Sequence, residues 1–300
     1  MTGARTRRVA RRLGWALLVV LIAVGAALAT ARGVSLARQR GPWQVPRHAL
    51  AVPSDAAARA EGERLYVTRG CADCHRDDGG GRVFLDIAPC RAVATNLTAF
   101  AAHASPTDWD RAVRHGVAQD GRALVMMPAE DYRRMSDHEL GRLAAYVSSL
   151  PRVENELPPS ELRWIGSVLD VLGVVPMLHA ARIDHAAAHG DVPAGRTRDY
   201  GEVLADGCVG CHGAQLSGGA IPGAPPELGV PPNLTPHETG LARWSEQDFV
   251  RAIREGVTPS GERLDPAQMP YPQLARMTDD ELGALYLYLR SLPPREEGGR

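Results

Sequence analysis

The sequence predicts an all-α protein, with two tandem, related helical domains behind an N-terminal membrane-spanning helix. Three observations predict it. An uncharged run follows a cluster of arginines at the start of the chain; residues 55–150 recur in outline over 197–295; and helix start and stop signals punctuate both copies with no convincing period-two run between them.

Composition sets the limits. At 300 residues, 44% apolar and 23% charged, the chain can bury one or two cores and is not wholly disordered. Only 5% of residues are aromatic, three of them Phe, which is thin filling for two cores and leaves room for something other than side chains. The net charge of −1 conceals a split: residues 1–40 hold eight arginines and no acidic residue. From Gly41 onward 26 arginines face 35 acidic residues, a net charge of −9 that argues against nucleic-acid binding. Lysine is absent, so arginine makes every basic contact.

Residues 1–12 form a basic terminus in which Arg5, Arg7, Arg8, Arg11 and Arg12 precede the uncharged run. That run, residues 13–30, has 18 residues, the lower limit for a helix crossing the hydrocarbon core. Positive charge ahead of it places the N-terminus in the cytoplasm and the body outside a bacterial inner membrane, facing the periplasm. A cleaved signal peptide is the competing reading, with Ala27-Leu28-Ala29 as the small-residue cleavage site. The run is longer than a signal core, which favours an uncleaved single-pass anchor, and both readings export the body. Residues 31–54 read as a tether, because Pro42, Pro46 and Pro53 discourage regular structure.

The first domain, residues 55–150, opens with Cys71-Ala-Asp-Cys74-His75, and the second, 197–295, with Cys208-Val-Gly-Cys211-His212. This is the pattern by which c-type haem is attached: two thiols add across the vinyl groups, and the adjoining His reaches the iron from the same face. A disulfide framework is poorly served by adjacent pairs in a chain this long, and a redox dithiol should open a helix within a βαβ pattern that is absent here. Export adds weight, since haem attachment occurs outside the cytoplasm. Two covalently bound haem c groups are therefore expected.

The repeat extends beyond the motifs. Asn96-Leu97-Thr98 recurs as Asn233-Leu234-Thr235 at the cysteines' offset of 137 residues. Arg111-Ala-Val-Arg-His-Gly-Val117 recurs as Arg251-Ala-Ile-Arg-Glu-Gly-Val257 at 140, and Leu150-Pro151 as Leu292-Pro293 at 142, so short insertions separate the copies. Ser105 and Ser245 are candidate N-caps, each three residues before an Asp. Ser136-Asp-His-Glu139 and Thr278-Asp-Asp-Glu281 are capping boxes opening helices that end at Leu150 and Leu292, before proline.

An iron that passes electrons without binding substrate needs a sixth ligand. Met127 lies 52 residues after His75 and Met269 lies 57 after His212, each immediately before proline. A thioether there favours the ferrous state. Met126 is a local rival, but only Met127 holds the Met-Pro position shared by both copies, and Met135 and Met277 read as core filling. The expected iron ligands are thus His75 with Met127 and His212 with Met269.

Between the domains, residues 151–196 include Leu162–Leu172, whose periodicity suggests an amphipathic helix packed onto a domain. His185 and His189, four apart with Asp184 nearby, read as a solvated helix face rather than a metal pair. Residues 296–300 are a tail.

The chain resembles the class I cytochromes c, and among them the membrane-anchored cytochromes related to the cytochrome subunits of bacterial alcohol and gluconate dehydrogenases. The second copy carries most of the likeness, in Cys208-Val-Gly-Cys211-His212, Pro232-Asn-Leu-Thr-Pro236, Trp244-Ser245, Met269-Pro-Tyr271 and Leu285-Tyr-Leu-Tyr-Leu-Arg-Ser-Leu-Pro293. The resemblance implies two haems with His/Met ligation and a role in respiratory electron transfer. Those subunits typically carry three haem motifs, whereas this chain has two. It also implies a loop carbonyl against each ligand His, near Pro89 in the first copy and within Pro222–Pro232 in the second. Cys90, the odd cysteine, resembles the axial thiolate of thiosulfate-oxidising dihaem cytochromes, but Met127 makes a buried structural thiol the expectation.

The expected function is a dihaem electron carrier, not an enzyme. It would take single electrons from a dehydrogenase or quinol-oxidising complex and pass them to an oxidase or soluble cytochrome. A dihaem peroxidase, a thiosulfate dehydrogenase or a non-catalytic subunit of a larger complex is the alternative.

Overall fold

The computed structural model describes residues 2–187, 191–222, 224 and 226–300. Helix α1 (Thr2–Arg40) carries the apolar run, and its side chains from Val9 to Thr30 are all exposed. Cover begins at Ala31, and Ser35 is wholly buried. Residues 31–40 therefore continue the helix where the sequence suggested a tether. No proline precedes Pro42, and the body supplies packing partners for this last part of the helix.

The first copy contains α2 (Ala56–Thr68), α3 (Cys71–His75), strands β1 (Arg82–Ile87) and β2 (Cys90–Ala94), α4 (Leu97–Ala101), α5 (Pro106–His115), α6 (Ala129–Tyr132) and α7 (Asp137–Ser149). Strand β3 (Glu161–Leu162) and α8 (Trp164–Val171) follow. The second copy contains α9 (Arg198–His212), α10 (Glu246–Glu255), α11 (Tyr271–Leu274) and α12 (Asp279–Ser291).

Local chemistry sets these boundaries. Ser105, Ser136, Ser245 and Thr278 each accept from the backbone N–H three residues on, whose own Asp or Glu side chain accepts in return. Leu150 and Leu292 are the C-caps of α7 and α12, held extended ahead of proline.

In each copy the first helix crosses the last, α2 on α7 and α9 on α12. Glycine marks both crossings. A Cβ on Gly62 would lie 2.1 Å from the Arg142 carbonyl oxygen, and one on Gly201 would lie 1.9 Å from that of Ala284, so only glycine permits the approach. Around the first crossing Leu65, Tyr66, Trp109, Met135, Leu140 and Val147 form a core, and around the second Phe249, Met277, Leu282, Leu285 and Leu289 do so.

The all-α expectation needs one correction. Strands β1, β2 and β3 form an antiparallel sheet in the order β1-β2-β3. The alternation that marks β2 is real but carried by small residues: Cys90, Ala92 and Ala94 are buried while Arg91 and Val93 are less so. A third apolar cluster joins Cys90 and Leu162 to Val117, Met177, Leu178 and Ala180, so the chain after the first copy folds back over it.

The copies meet reciprocally. α6 packs on α9, and α11 packs on α2.

Candidate functional site

The two Cys-x-x-Cys-His segments differ in how they are held. In the first copy Gly70, at φ 73°, breaks the chain between α2 and the short α3. In the second, α9 runs unbroken through Cys208, Cys211 and His212. Three-residue spacing on a helix puts both thiols of a pair on one face. None of the four is in a disulfide. Cys71 and Cys208 pack against the first and second cores, and burial pushes both thiols up to about 12. Zinc binding or dithiol exchange calls for thiolates, which this environment disfavours. No group of three or more His, Cys, Asp or Glu residues suited to a metal ion occurs among the described residues.

Each histidine is aimed by one hydrogen bond. His75 Nδ1 lies 2.8 Å from the Thr95 carbonyl, and His212 Nδ1 lies 2.8 Å from that of Pro232. Donation from Nδ1 leaves the lone pair on Nε2, the form in which imidazole binds iron. Burial holds both rings below the ordinary imidazole value, and the bond to the carbonyl opposes this.

The residue after each carbonyl explains the Asn-Leu-Thr repeat. Asn96 Oδ1 accepts from the backbone N–H and hydroxyl of Thr98, while its Nδ2 donates to Val153 O at 2.8 Å. Asn233 does the same with Thr235 and donates to Arg295 O at 2.7 Å. Each Asn thus clamps the carbonyl loop to the chain beyond the last helix. Sequence reasoning used Asn96 and Asn233 only as landmarks of the repeat. Pro232 falls within the stretch expected to supply the second carbonyl. The first comes from Thr95 and not from the Pro89 region, because Pro89 lies in the β1–β2 turn and its carbonyl accepts from Arg163 N at 2.9 Å.

The Met-Pro segments occupy matching positions, with Pro128 and Pro270 as N-caps of α6 and α11. Met127 and Met269 are both half-buried, and Met269 packs against the core that Cys208 also touches. Met126 sits at φ 64°, donates its N–H to Met177 O and packs against the third cluster. Met135 and Met277 are both 4% exposed, inside the two cores.

Two arginines brace the chain between these segments and the last helix of each copy. Arg114, wholly buried, donates to Met135 O, Asp110 and Asp137. Arg254 donates to Ala275 O and Asp279. Arg114 thus ties α5, and Arg254 ties α10, to the chain just ahead of α7 and α12.

Charge gathers between the copies. Arg69, two residues before Cys71, lies 2.6 Å from Glu139, 3.0 Å from Glu281 and 3.0 Å from the Tyr200 hydroxyl. Burial raises both carboxyls, but Arg69, joined by Tyr200 and the Ser136 N–H at Glu139 and by Arg64 and the Thr278 N–H at Glu281, outweighs it and holds them below the ordinary carboxylate range. Arg134 holds Asp206 and Glu202 across the same contact, and Gln273 reaches Asp73, between the first pair of cysteines, at 3.4 Å. Burial, aided by Asp206, pushes the Asp131 carboxyl up to about 6.

Cys90 is wholly buried in β2 within the third cluster, and burial pushes its thiol up. His185 Nδ1 lies 2.9 Å from His115 Nδ1, and its ring meets Trp43 edge-on at 5.4 Å. His189 lies outside the described residues.

Comparison with known proteins bears on both copies. The family model described as cytochrome c matches residues 59–151 and again 199–293. The chain is 26% identical over 274 residues to the fructose dehydrogenase cytochrome subunit of Gluconobacter japonicus, covering 83% of this chain and 56% of that one. It is 28% identical to the cytochrome c subunit of the quinone alcohol dehydrogenase of Gluconacetobacter polyoxogenes, covering 82% and 58%. A diheme cytochrome c-type protein of Cereibacter sphaeroides is 25% identical, covering 79% and 86%. The chain spans a little over half the length of the two dehydrogenase subunits.

Proposed function

The chain belongs to the cytochrome c family, and from its two domains of that family we propose that it is a membrane-anchored, periplasm-facing electron carrier with His75/Met127 and His212/Met269 as iron ligands. Two covalently bound haem c groups supply the chemistry, a reversible one-electron change at iron.

The protein's residues provide everything around that change. Cys71, Cys74, Cys208 and Cys211 would form the thioether tethers. Thr95 and Pro232 carbonyls orient the two imidazoles, and Asn96 and Asn233 hold those carbonyls still. Met127 and Met269 would offer a thioether, each from the turn just ahead of α6 or α11. The apolar cores beside Cys71 and Cys208 keep water away and so limit reorganisation on charge change.

The observation that carries the reading is the duplicated histidine geometry: one ring in each copy, each donating to a clamped carbonyl at 2.8 Å. The reciprocal packing of α6 on α9 and α11 on α2 supports passage of the electron between the two domains. The relatives support a dehydrogenase as donor, with a quinol-oxidising complex as the other candidate donor and an oxidase or soluble cytochrome as the proposed acceptor. A body of net charge −9 suits partners with basic docking faces, held by salt-sensitive contacts. The exposed stretch of α1 from Val9 to Thr30 is the proposed single-pass anchor.

Spectroscopy of the holoprotein tests the ligand assignment. The wild type should show two low-spin centres inert to carbon monoxide. Met127→Ala and Met269→Ala should each convert one centre to a high-spin, carbon-monoxide-binding form. A wild-type centre that binds carbon monoxide, or a variant with both centres unchanged, would overturn the assignment.

A further inference from the structure

Helix α8 is built inside out for a protein in water. Its buried face consists of Gly166, Ser167 and Asp170, while Trp164 and Ile165 are 57% and 55% exposed. The turn that follows leaves Leu172 and Val174 68% and 54% exposed, and Ile87 at the adjoining β1–β2 turn is also exposed. Asp170 is the only charged residue between Trp164 and Leu178, and its carboxylate is turned inward, accepting from the N–H groups of Met177 and Leu178. Large apolar side chains outside and small or polar ones inside is the pattern of a helix that faces lipid.

Continuity with α1 fixes where this face lies. Arg32, two residues beyond the uncharged run, donates to Leu162 O at 2.6 Å and to Ser167 Oγ at 2.5 Å, and its guanidinium sits 5.7 Å from the centre of the Trp164 ring. Arg38, six residues further along α1, lies 3.7 Å from Asp170. Trp164 is thus held at the height where α1 leaves its fully exposed stretch, and an indole beside an arginine is the chemistry of a bilayer's headgroup boundary.

We propose that the face formed by Ile87, Trp164, Ile165, Leu172 and Val174 dips into the outer leaflet of the membrane that α1 spans. The inference rests on reading α1 as an anchor. It gives the anchor a second point of attachment, so that the haem-bearing body is held at one tilt against the lipid surface instead of swinging on a single helix.

Full-length holoprotein carrying a nitroxide at Ile165→Cys or Leu172→Cys, in nanodiscs of phosphatidylethanolamine and phosphatidylglycerol, tests it through collisions with oxygen and with a water-soluble nickel chelate. Leu21→Cys serves as the anchor reference, and Asp199→Cys, on an exposed side chain of α9, as the solvated one. Labels at 165 and 172 are expected to favour oxygen as the label at 21 does, while the label at 199 favours nickel. Nickel preference at 165 and 172 with oxygen preference at 21 overturns the inference and leaves the anchor standing. Nickel preference at 21 as well overturns both. Shielding of 165 and 172 from both reagents means that a protein covers the face, and overturns the inference.

Discussion

At the residue scale, the chemistry depends on atoms that sequence motifs do not name. Cys-x-x-Cys-His was legible because the cofactor's shape dictates the spacing of covalent attachment. The carbonyl that aims each histidine was not, since any residue type can supply one. Its marker is the Asn that follows, whose side chain bonds both to the loop and to the chain beyond the last helix. Asn233→Ala should leave the Thr235 N–H without its acceptor and the Arg295 carbonyl with the Thr235 hydroxyl in place of two donors, and cost about 1–3 kcal/mol in denaturant unfolding. Because it frees the Pro232 carbonyl, the same change should also shift the potential of the second haem in a redox titration and leave the first unmoved. Met126 shows the limit of spacing arguments: its backbone conformation and its contact with the third cluster distinguish it from Met127, and neither follows from adjacency in sequence.

At the element scale, the helices were largely legible and the sheet was not. Capping boxes at Ser136 and Thr278 and prolines after Leu150 and Leu292 fix α7 and α12 by local chemistry. Strand β2 escaped because its buried positions are Cys90, Ala92 and Ala94, which a hydrophobic alternation test scores weakly, and because β3 has only two residues. The glycines at the helix crossings were equally silent in sequence. Gly201→Ala should cost about 3 kcal/mol, since its Cβ would strike the Ala284 carbonyl at 1.9 Å and force α9 and α12 apart. Gly207→Ala, on the exposed side of the same helix with nothing within 4 Å, should instead stabilise by about 0.5–1 kcal/mol. Thermal unfolding of the two variants checks the contrast.

At the scale of the whole molecule, the copies are joined by buried charge. Arg69 serves Glu139 from its own domain and Glu281 from the other, so Arg69→Ala should strand the buried Glu139 carboxylate, leave Glu281 to Arg64, and destabilise by about 3 kcal/mol. Both glutamates sit below their ordinary value of 4.5, so their contribution is present above that pH and lost as pH falls through the depressed values. Asp131 has the opposite sign. Raised from 3.8 to about 6, it favours the folded state when protonated, and that contribution is lost as pH rises through about 6. Asp131→Asn should accordingly stabilise the protein by about 1–2 kcal/mol at pH 7–8, with the gain vanishing toward pH 4 in a pH series of unfolding midpoints. By itself the sequence determined the duplication, the two Cys-x-x-Cys-His motifs, the helix ends and the apolar run, because each is read from residue identities in local stretches or from their recurrence. Only the tertiary structure decided that Thr95 and not the Pro89 region serves His75, that Arg69 bridges the copies, and that α8 turns its apolar side outward beside α1. Those outcomes join residues from 20 to more than 200 positions apart, and a choice among such pairs is made by packing the whole chain at once.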